Sequence, residues 1–306
     1  MKMTNLAMPG FNTTLMGVVK GVVDYFGIEA SPATVFGGTG HAFLINIHKE
    51  LCPSGPYCWK RAEFDRLLGN LGVQVRDLGF YSRASSAEER AKVERRLCAA
   101  LDVGTPCALL NLENQLITGY DAEGFFTAQP WVCVNDFPPA RLSFGSWKEF
   151  GDRVHASFFA FEKARPSDRR TIILQSLDFA IDLQKNPSQY SMDGYGVGPD
   201  AYANWIAAAP KFGASHGNWW NATVWSECRA MASEYFGEIQ REYAGTSALA
   251  AELAEVYRDL ASLLQRVSDK DMDSDTKVGL LREAQAKEAA AVSAAGAFSA
   301  VFRAGS

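Results

Sequence analysis

The spacing of apolar residues changes near Arg165, and this change limits the fold more than any single motif does. Before Arg165, short apolar runs alternate with Gly, Pro and Asp turns. After it, apolar residues recur at helical spacing to the end of the sequence. The polar segment RPSDRR has the composition of a boundary, and Ser167 or Asp168 can cap the helix that follows. The pattern predicts two domains, residues 1–165 and residues 166–306.

The first half is predicted to contain helices followed by strands. NTTLMGVVKGVVDYFG has Asn12 or Thr13 as its N-cap and Gly27 at its C-terminal end, and RAEFDRLLGNLG is a second amphipathic helix. A third, SAEERAKVERRLCAALDVG, opens with a capping box formed by Ser86 and Glu89. The runs CALLNL, QLITGY, FFTAQPW and RVHASFFAFEK are typical of strands. Helices followed by an antiparallel sheet predict an α+β fold.

The second half predicts an all-helical bundle. TIILQSLDFAIDLQKN stops before Pro187, and Pro199 stands at the first position of the next helix. Three longer helical segments follow, with Ala-rich faces and charged opposite faces. Such helices can pack within one chain or across a dimer interface, and we expect a homodimer.

Composition excludes several classes of function. The chain is 47% hydrophobic and 21% charged, which is typical of a soluble globular protein. A net charge of -5 argues against a nucleic-acid partner. No apolar run approaches the roughly 20 residues that span a bilayer, and the N-terminus lacks the apolar region of a secretory signal. Six scattered cysteines do not suggest a disulfide framework. We therefore expect a cytoplasmic protein with reduced thiols and no membrane partner.

The segment VFGGTGHAFLINIHKELCPSGPYCW concentrates residues that could carry chemistry. His41, His48, Cys52 and Cys58 follow one another at spacings of seven, four and six. Structural zinc sites favour cysteine pairs two to four residues apart with a second pair elsewhere, so we expect no metal and no cofactor. A cysteine could act as nucleophile with a histidine as its base. Alternatively, glycines such as Gly40 allow close backbone approach, and the segment forms the wall of a pocket.

Three further motifs have plain structural interpretations beside functional ones. In ASHGNWWNATVW, Trp219 and Trp220 either pack between helices or form the floor of a ligand pocket. GYGVGPD either binds an anion or makes a tight connection. SDKDMDSDTKVGLL resembles an EF-hand loop, but Ser274 and Leu280 stand where that motif requires Gly and Glu, so an inter-helix turn is expected.

A family resemblance follows from the order of elements. The helix that begins near Asn12 and ends in DYFG, the segment VFGGTGHAF and the run ITGYDAEGFFTAQPW together resemble the N-terminal domain of butirosin-biosynthesis protein H and related papain-like cysteine peptidase folds. The resemblance covers roughly residues 8–163. It implies a papain-like domain of helices and a small antiparallel sheet, here followed by the helical bundle.

The resemblance also implies where a catalytic triad would lie. The family's cysteine opens the first helix, which corresponds to Thr14, with Thr13 one position away. Its histidine opens the strand before GYD, which corresponds to Glu113. Its Asp or Asn precedes the proline of TAQPW, which corresponds to Gln129. All three positions are therefore replaced, although Asn12 could still donate a hydrogen bond near an oxyanion position.

Two functions remain open from the sequence. In the first, the protein is an enzyme that performs acyl or aminoacyl transfer, or amide hydrolysis, on a small metabolite. Glu113 is then the general acid or base, His41 or Cys52 contributes to catalysis, and Thr14 positions the substrate. The expected substrate contacts are Asn12, Thr13, Gly40, Tyr120, Asp121, Gln129, Trp219 and Trp220. In the second, the cleft is catalytically silent and binds a small molecule or a peptide. Glu113 also has a plain interpretation, as a solvated residue of the turn NLENQ.

Overall fold

The computed structural model describes residues 1–131 and 137–304. Within that part of the chain, helices α1 to α9 cover Thr14–Tyr25, Pro32–Gly38, Ala62–Asn70, Ala87–Asp102, Arg169–Lys185, Pro199–Phe212, His216–Glu242, Ser247–Val267 and Ser274–Ala304. Strands β1 to β8 cover Asn46–His48, Val73–Ser82, Cys107–Asn111, Glu113–Tyr120, Gly124–Thr127, Arg141–Ser143, His155–Lys163 and Tyr195–Val197. The predicted α+β class with a C-terminal helical region is confirmed.

The chain forms two compact units, and the first one holds the large sheet. It comprises Met1–Ala30 and Leu71–Pro166. Six antiparallel strands lie in the order β2-β7-β3-β4-β5-β6, so β4 is an inner strand. Helix α1 packs against β4. Gly21 of α1 lies in a tightly packed place, because a Cβ there would lie 2.3 Å from Ala7 O and 2.8 Å from Leu116 Cδ1 of β4.

Local sequence signals account for the helix ends of the first unit. Thr13 is the N-cap of α1, and Gly27 follows the helix with a φ of 64°. Ser86 accepts from the backbone N–H of Glu89, and the Glu89 carboxylate accepts from the backbone N–H of Ser86. The predicted capping box at the start of α4 is thus confirmed.

The second unit is built mainly of helices. It comprises Ser31–Asn70 together with the chain from Ser167 onward. Helix α7 packs against α8, and α8 against α9. Asp168 caps α5 and Pro199 begins α6, as the sequence predicts.

The two observed units differ in one segment from the two contiguous domains that the sequence predicts. The sequence predicts residues 31–70 in the N-terminal domain, whereas the structure groups them with the C-terminal helices. The reason is packing: α2 contacts α7, α3 contacts α5, and β1 pairs with β8 in a separate two-stranded ladder. The predicted change at Arg165 still coincides with a passage of the chain from one unit to the other.

A buried ion pair links the helices of the second unit. Arg229 Nε donates to Glu288 Oε2 at 2.8 Å, and the two side chains are 0% and 2% exposed. Arg229 Nη1 also donates to the backbone oxygens of Ala42 and Leu44, at 2.9 and 2.8 Å. These bonds tie the segment after α2 to α7 and α9. Separately, none of the helices in the described ranges is long and apolar enough to cross a membrane.

Candidate active site

The first residue of α1 and the first residue of β4 meet through a buried hydrogen bond. Thr14 Oγ1 donates to Glu113 Oε2 at 2.9 Å. The two residues stand 99 positions apart in sequence and are 1% and 8% exposed. The structure thus brings together two residues that the family resemblance assigned to the nucleophile and base positions.

Asn114 completes the surroundings of the Thr14 hydroxyl. Its backbone N–H donates to Thr14 Oγ1 at 3.1 Å, and its side-chain Nδ2 donates to the same atom at 3.3 Å. A hydroxyl has one proton to donate and two lone pairs that accept. The Thr14 hydroxyl therefore uses its whole hydrogen-bonding capacity within the protein. Attack on a carbonyl carbon would require it to lose one of the two bonds that it accepts.

Glu113 follows a strained one-residue turn. Asn111 of β3 pairs directly with Glu113 of β4, and Leu112 between them has a φ of 62° and is exposed. A branched side chain rarely adopts this left-handed conformation. The interpretation of Glu113 as a solvated turn residue is wrong, because its side chain is buried beside α1. The strain instead lies next to the carboxylate that contacts Thr14.

The position of this carboxylate is favoured by the helix. The N-terminal end of α1 carries the positive end of the helix dipole, which stabilises a negative group within the first turn. Glu113 contacts the side chain of the first helical residue, Thr14. The Glu113 carboxyl group thus contacts the residue, Thr14, at which the resemblance implies a reactive thiolate. Thr13 is buried at the N-cap and Asn12 is half-buried just before it.

Gln129 lies at the same end of the sheet as Glu113. The backbone N–H of Ala128 donates to Leu116 O at 2.8 Å, which places the next residue, Gln129, beside the first residues of β4. The Gln129 side chain donates to Pro138 O at 2.8 Å. The three positions implied by the resemblance therefore gather at one end of β4, with Gln129 held by a backbone carbonyl.

Tyr120 and Asp121 lie far from this end. Tyr120 stands seven positions after Glu113 along extended β4, which corresponds to about 23 Å. The Tyr120 hydroxyl donates to Asp102 at 2.6 Å, and this bond raises the pKa of the phenol to about 12. Asp121 accepts from the backbone N–H of Glu123, which lowers its pKa and fixes the β4–β5 turn. The expectation that these two residues share a site with Glu113 does not fit the structure.

His41 belongs to the second unit and is not placed to act as a base. Its ring is 1% exposed and lies among aromatic side chains, with Trp59 and Trp225 at centroid distances of 5.7 and 6.1 Å. Its Nδ1 is 3.5 Å from Cys228 Sγ. Burial, and then the charge of Arg229, lower the pKa of His41 to about 3. The imidazole is therefore neutral at physiological pH, and its surroundings explain it as a core residue.

The remaining predicted residues also lie in the second unit. Gly40 has a φ of 74°, and a Cβ there would lie 2.3 Å from Phe179 Cδ1, so packing alone requires glycine. Trp219 and Trp220 lie in the first turns of α7. Trp220 is buried and its Nε1 donates to Tyr57 Oη at 3.0 Å. Cys52 is half-buried and accepts a hydrogen bond from Ser54 at 2.8 Å.

The acidic run and the glycine-rich segment GYGVGPD have plain structural roles. No group of three or more His, Cys, Asp or Glu side chains suited to a metal occurs among residues 1–131 and 137–304. In the acidic run, Asp273 accepts from the backbone N–H of Thr276 at 2.8 Å and so caps α9. In GYGVGPD, Gly194 and Gly198 have φ values of 81° and 56°, which explains them as a tight connection.

Asn114 and Gln115 are site residues that the sequence does not reveal. Both are buried, and Gln115 Nε2 donates to Ala128 O and Pro139 O at 3.0 and 2.8 Å. The available signal is the polar run ENQ directly before the apolar run LITG. That run is typical of a turn, whereas in the structure it begins an inner strand. The Asn114 side chain donates to Thr14 of α1, and the Gln115 side chain donates to Pro139 O in the chain after β5.

No protein-family model matches the chain, and no curated protein matches it.

Proposed function

We propose that the protein has a papain-like first unit whose triad positions are catalytically silent and that it binds a small molecule or a peptide at the end of β4. The groove in this proposal is bounded by the start of α1, the first residues of β4 and Gln129. The polar groups at its edge are Asn12 and Gln129. Its ligand would therefore carry hydrogen-bonding groups, such as an amide or a hydroxyl.

The papain-like assignment is supported by the positions of three residues. Thr14, Glu113 and Gln129 stand at the three positions that the resemblance implies for a triad, and they lie at one end of the same inner strand. A cysteine, a histidine and an amide or carboxylate at these positions would form a nucleophile, a base and an orienting group. Replacement of all three side chains removes that chemistry while the helix-to-strand contact is kept.

The proposal that the site is catalytically silent rests on the Thr14 hydroxyl, whose hydrogen-bonding capacity is fully used within the protein. Thr14 Oγ1 donates to Glu113 and accepts twice from Asn114, at 1% exposure. A nucleophile needs a free lone pair and a path for the substrate. Here the bonds instead join α1 to β4. The network has the properties of a structural support beneath a binding surface.

Acyl transfer is the second candidate, and one distance favours it. The 2.9 Å separation of Thr14 Oγ1 and Glu113 Oε2 is within the range expected for a nucleophile and its general base. If substrate binding displaced the Asn114 side chain, one lone pair of Thr14 would become free. The Asn114 backbone N–H would then remain as a donor to the reacting oxygen.

Identification of a retained ligand tests the proposal. The full-length protein would be incubated with a metabolite extract, separated from unbound compounds, and examined by native mass spectrometry. The proposal predicts a retained compound that is released chemically unchanged on denaturation. Substitution Gln129→Ala should weaken its binding, whereas the matched change Gln74→Ala on edge strand β2 should not.

Glu113→Gln distinguishes the two candidates. A silent binding protein would change only its affinity for the compound. An enzyme would convert the compound in the wild type and lose that turnover in the variant while still retaining the ligand. Conversion that depends on Glu113 would overturn the silent assignment, and the absence of any retained compound would overturn the binding function.

A further inference from the structure

Four helices of the second unit each contribute one residue to a buried group of polar side chains. The residues are Tyr202 of α6, Arg229 of α7, Tyr257 of α8 and Glu288 of α9. Each of them is between 0% and 2% exposed. These four residues, which belong to one unit, are called the polar core below.

The guanidinium of Arg229 is only partly hydrogen-bonded. Arginine has five N–H donors, one on Nε and two on each terminal nitrogen. Arg229 Nε donates to Glu288 Oε2, and Nη1 donates to Ala42 O and Leu44 O. Arg229 Nη2 is buried and has no acceptor in the part of the chain that the structure describes. Two N–H groups of a buried cation are therefore left to a partner from outside the chain.

The Tyr257 hydroxyl is a second buried donor without a partner among residues 1–131 and 137–304. Its ring packs against Phe43 and Phe236, both at a centroid distance of 5.6 Å. Burial and then the negative charge of Glu288 raise the pKa of the Tyr257 phenol, whereas the charge of Arg229 lowers it. The hydroxyl thus lies within electrostatic range of both members of the ion pair and cannot reach bulk water.

The carboxylate of Glu288 offers an acceptor to the same partner. Its Oε2 accepts from Arg229 Nε at 2.8 Å and from the Tyr202 hydroxyl at 3.1 Å. Both bonds go to one oxygen, and Oε1 accepts neither of them. The polar core therefore holds two unused donor groups beside a carboxylate oxygen with lone pairs to spare.

We propose that the polar core binds one internal water molecule. The water accepts hydrogen bonds from Arg229 Nη2 and Tyr257 Oη and donates one to Glu288 Oε1. Buried waters typically form about three hydrogen bonds to groups that the protein leaves unpaired. Arg229 and Glu288 balance each other in charge, so a bound ion would leave one charge uncompensated in the core. The guest is therefore neutral, and it must both accept and donate.

This water connects a third long helix to the buried ion pair. Arg229 and Glu288 already join α7 to α9, whereas Tyr257 lies on α8. The site belongs to the second unit, and Thr14 and Glu113 belong to the first, so the inference does not depend on the proposed binding function.

A crystal structure of the full-length protein, at a resolution that shows ordered water, tests the site directly. The expected result is one density peak within about 2.5–3.2 Å of Arg229 Nη2, Tyr257 Oη and Glu288 Oε1. A direct bond between Tyr257 Oη and Glu288 with no such peak would overturn the inference. An empty polar core, or a peak that belongs to an ion, would overturn it as well.

Tyr257→Phe tests the site in solution, because the change removes only the hydroxyl. With the water in place, the variant loses a buried hydrogen bond, and its urea midpoint should fall by about 0.2–1 M. Tyr202→Phe is the matched control, since it removes a hydroxyl that donates directly to the same carboxylate, and its midpoint should fall by a similar amount. Circular dichroism would confirm that both variants are folded.

The opposite sign is expected if no water is bound. Removal of a buried hydroxyl that has no partner also removes the cost of burying it, so the midpoint of Tyr257→Phe would stay the same or rise. Either result would overturn the inference.

Discussion

Substitution Thr14→Val is expected to weaken the attachment of α1 to β4 substantially. Valine keeps the shape of threonine and removes only the hydroxyl. The change deletes a bond to a carboxylate, which contributes about 1.5–3 kcal/mol, and leaves the buried backbone N–H of Asn114 without its acceptor, which costs about 1–3 kcal/mol more. We therefore expect a loss of about 3–5 kcal/mol.

Thr14→Ser is the matched control. Serine keeps the hydroxyl and loses one buried methyl group, so the expected cost is only about 1 kcal/mol. A double-mutant cycle of Thr14→Val and Glu113→Gln isolates the pair, and its coupling energy should be about 1–3 kcal/mol. Near-equal costs for valine and serine would show that the methyl packing of Thr14, and not its hydroxyl, holds α1.

The assay must report on the first unit within the full chain. Hydrogen–deuterium exchange with mass spectrometry gives local opening free energies for peptides that cover α1 and β4. Peptides from α8 serve as an internal reference, because α8 belongs to the second unit. A change of less than about 0.5 kcal/mol in α1 and β4 for Thr14→Val would refute the reasoning.

Three further predictions concern the second unit. The pKa of His41 is about 3 in the fold against an ordinary 6.5. The free energy of unfolding should therefore be independent of this group above pH 6.5 and fall by about 1.4 kcal/mol per pH unit as the pH drops from 6.5 toward 3. Urea titrations at several pH values should show this slope, and His41→Gln should flatten it. Arg229→Met should lower the free energy of unfolding by about 3–5 kcal/mol, because Glu288 is left buried without its charged partner. Thermal unfolding would measure this loss, and an unchanged melting temperature would contradict the role of the buried pair. Gly37→Ala should destabilise the protein by about 1–3 kcal/mol, since a Cβ there would lie 2.2 Å from the buried Tyr235 ring. The control Gly69→Ala in α3 places its Cβ where nothing lies within 4 Å and should stabilise the protein by about 0.5–1 kcal/mol. Equal effects of the two changes in urea titrations would contradict this packing.

Local signals in the sequence predicted most helices and the inner strands. Caps at Ser86 and Asp168 and the glycine at position 27 act within a few residues, so their effects can be derived without tertiary structure. Strand β2 was not predicted. Its alternation is interrupted at Gly79, where the pairing with β7 shifts register.

The candidate site was predicted only in part. Thr14, Glu113 and Gln129 come together, and each was found from its distance to a short motif. His41 and Cys52 were assigned to the same site because they lie near one another in sequence, but their segment packs with the C-terminal helices. Sequence distance does not report which helices a segment will contact. The role of Asn114 depends on the register of β4 against α1, which also arises only in the folded chain.

Acylation of Thr14 by a small active ester tests the silent assignment most directly. The full-length protein would be incubated with p-nitrophenyl acetate and mapped by peptide mass spectrometry, with Glu113→Gln in parallel. We expect no acetyl group on Thr14 in either protein, because both lone pairs of the hydroxyl accept hydrogen bonds from Asn114. Time-dependent acetylation of Thr14 in the wild type that disappears in Glu113→Gln would contradict the account and establish a threonine nucleophile.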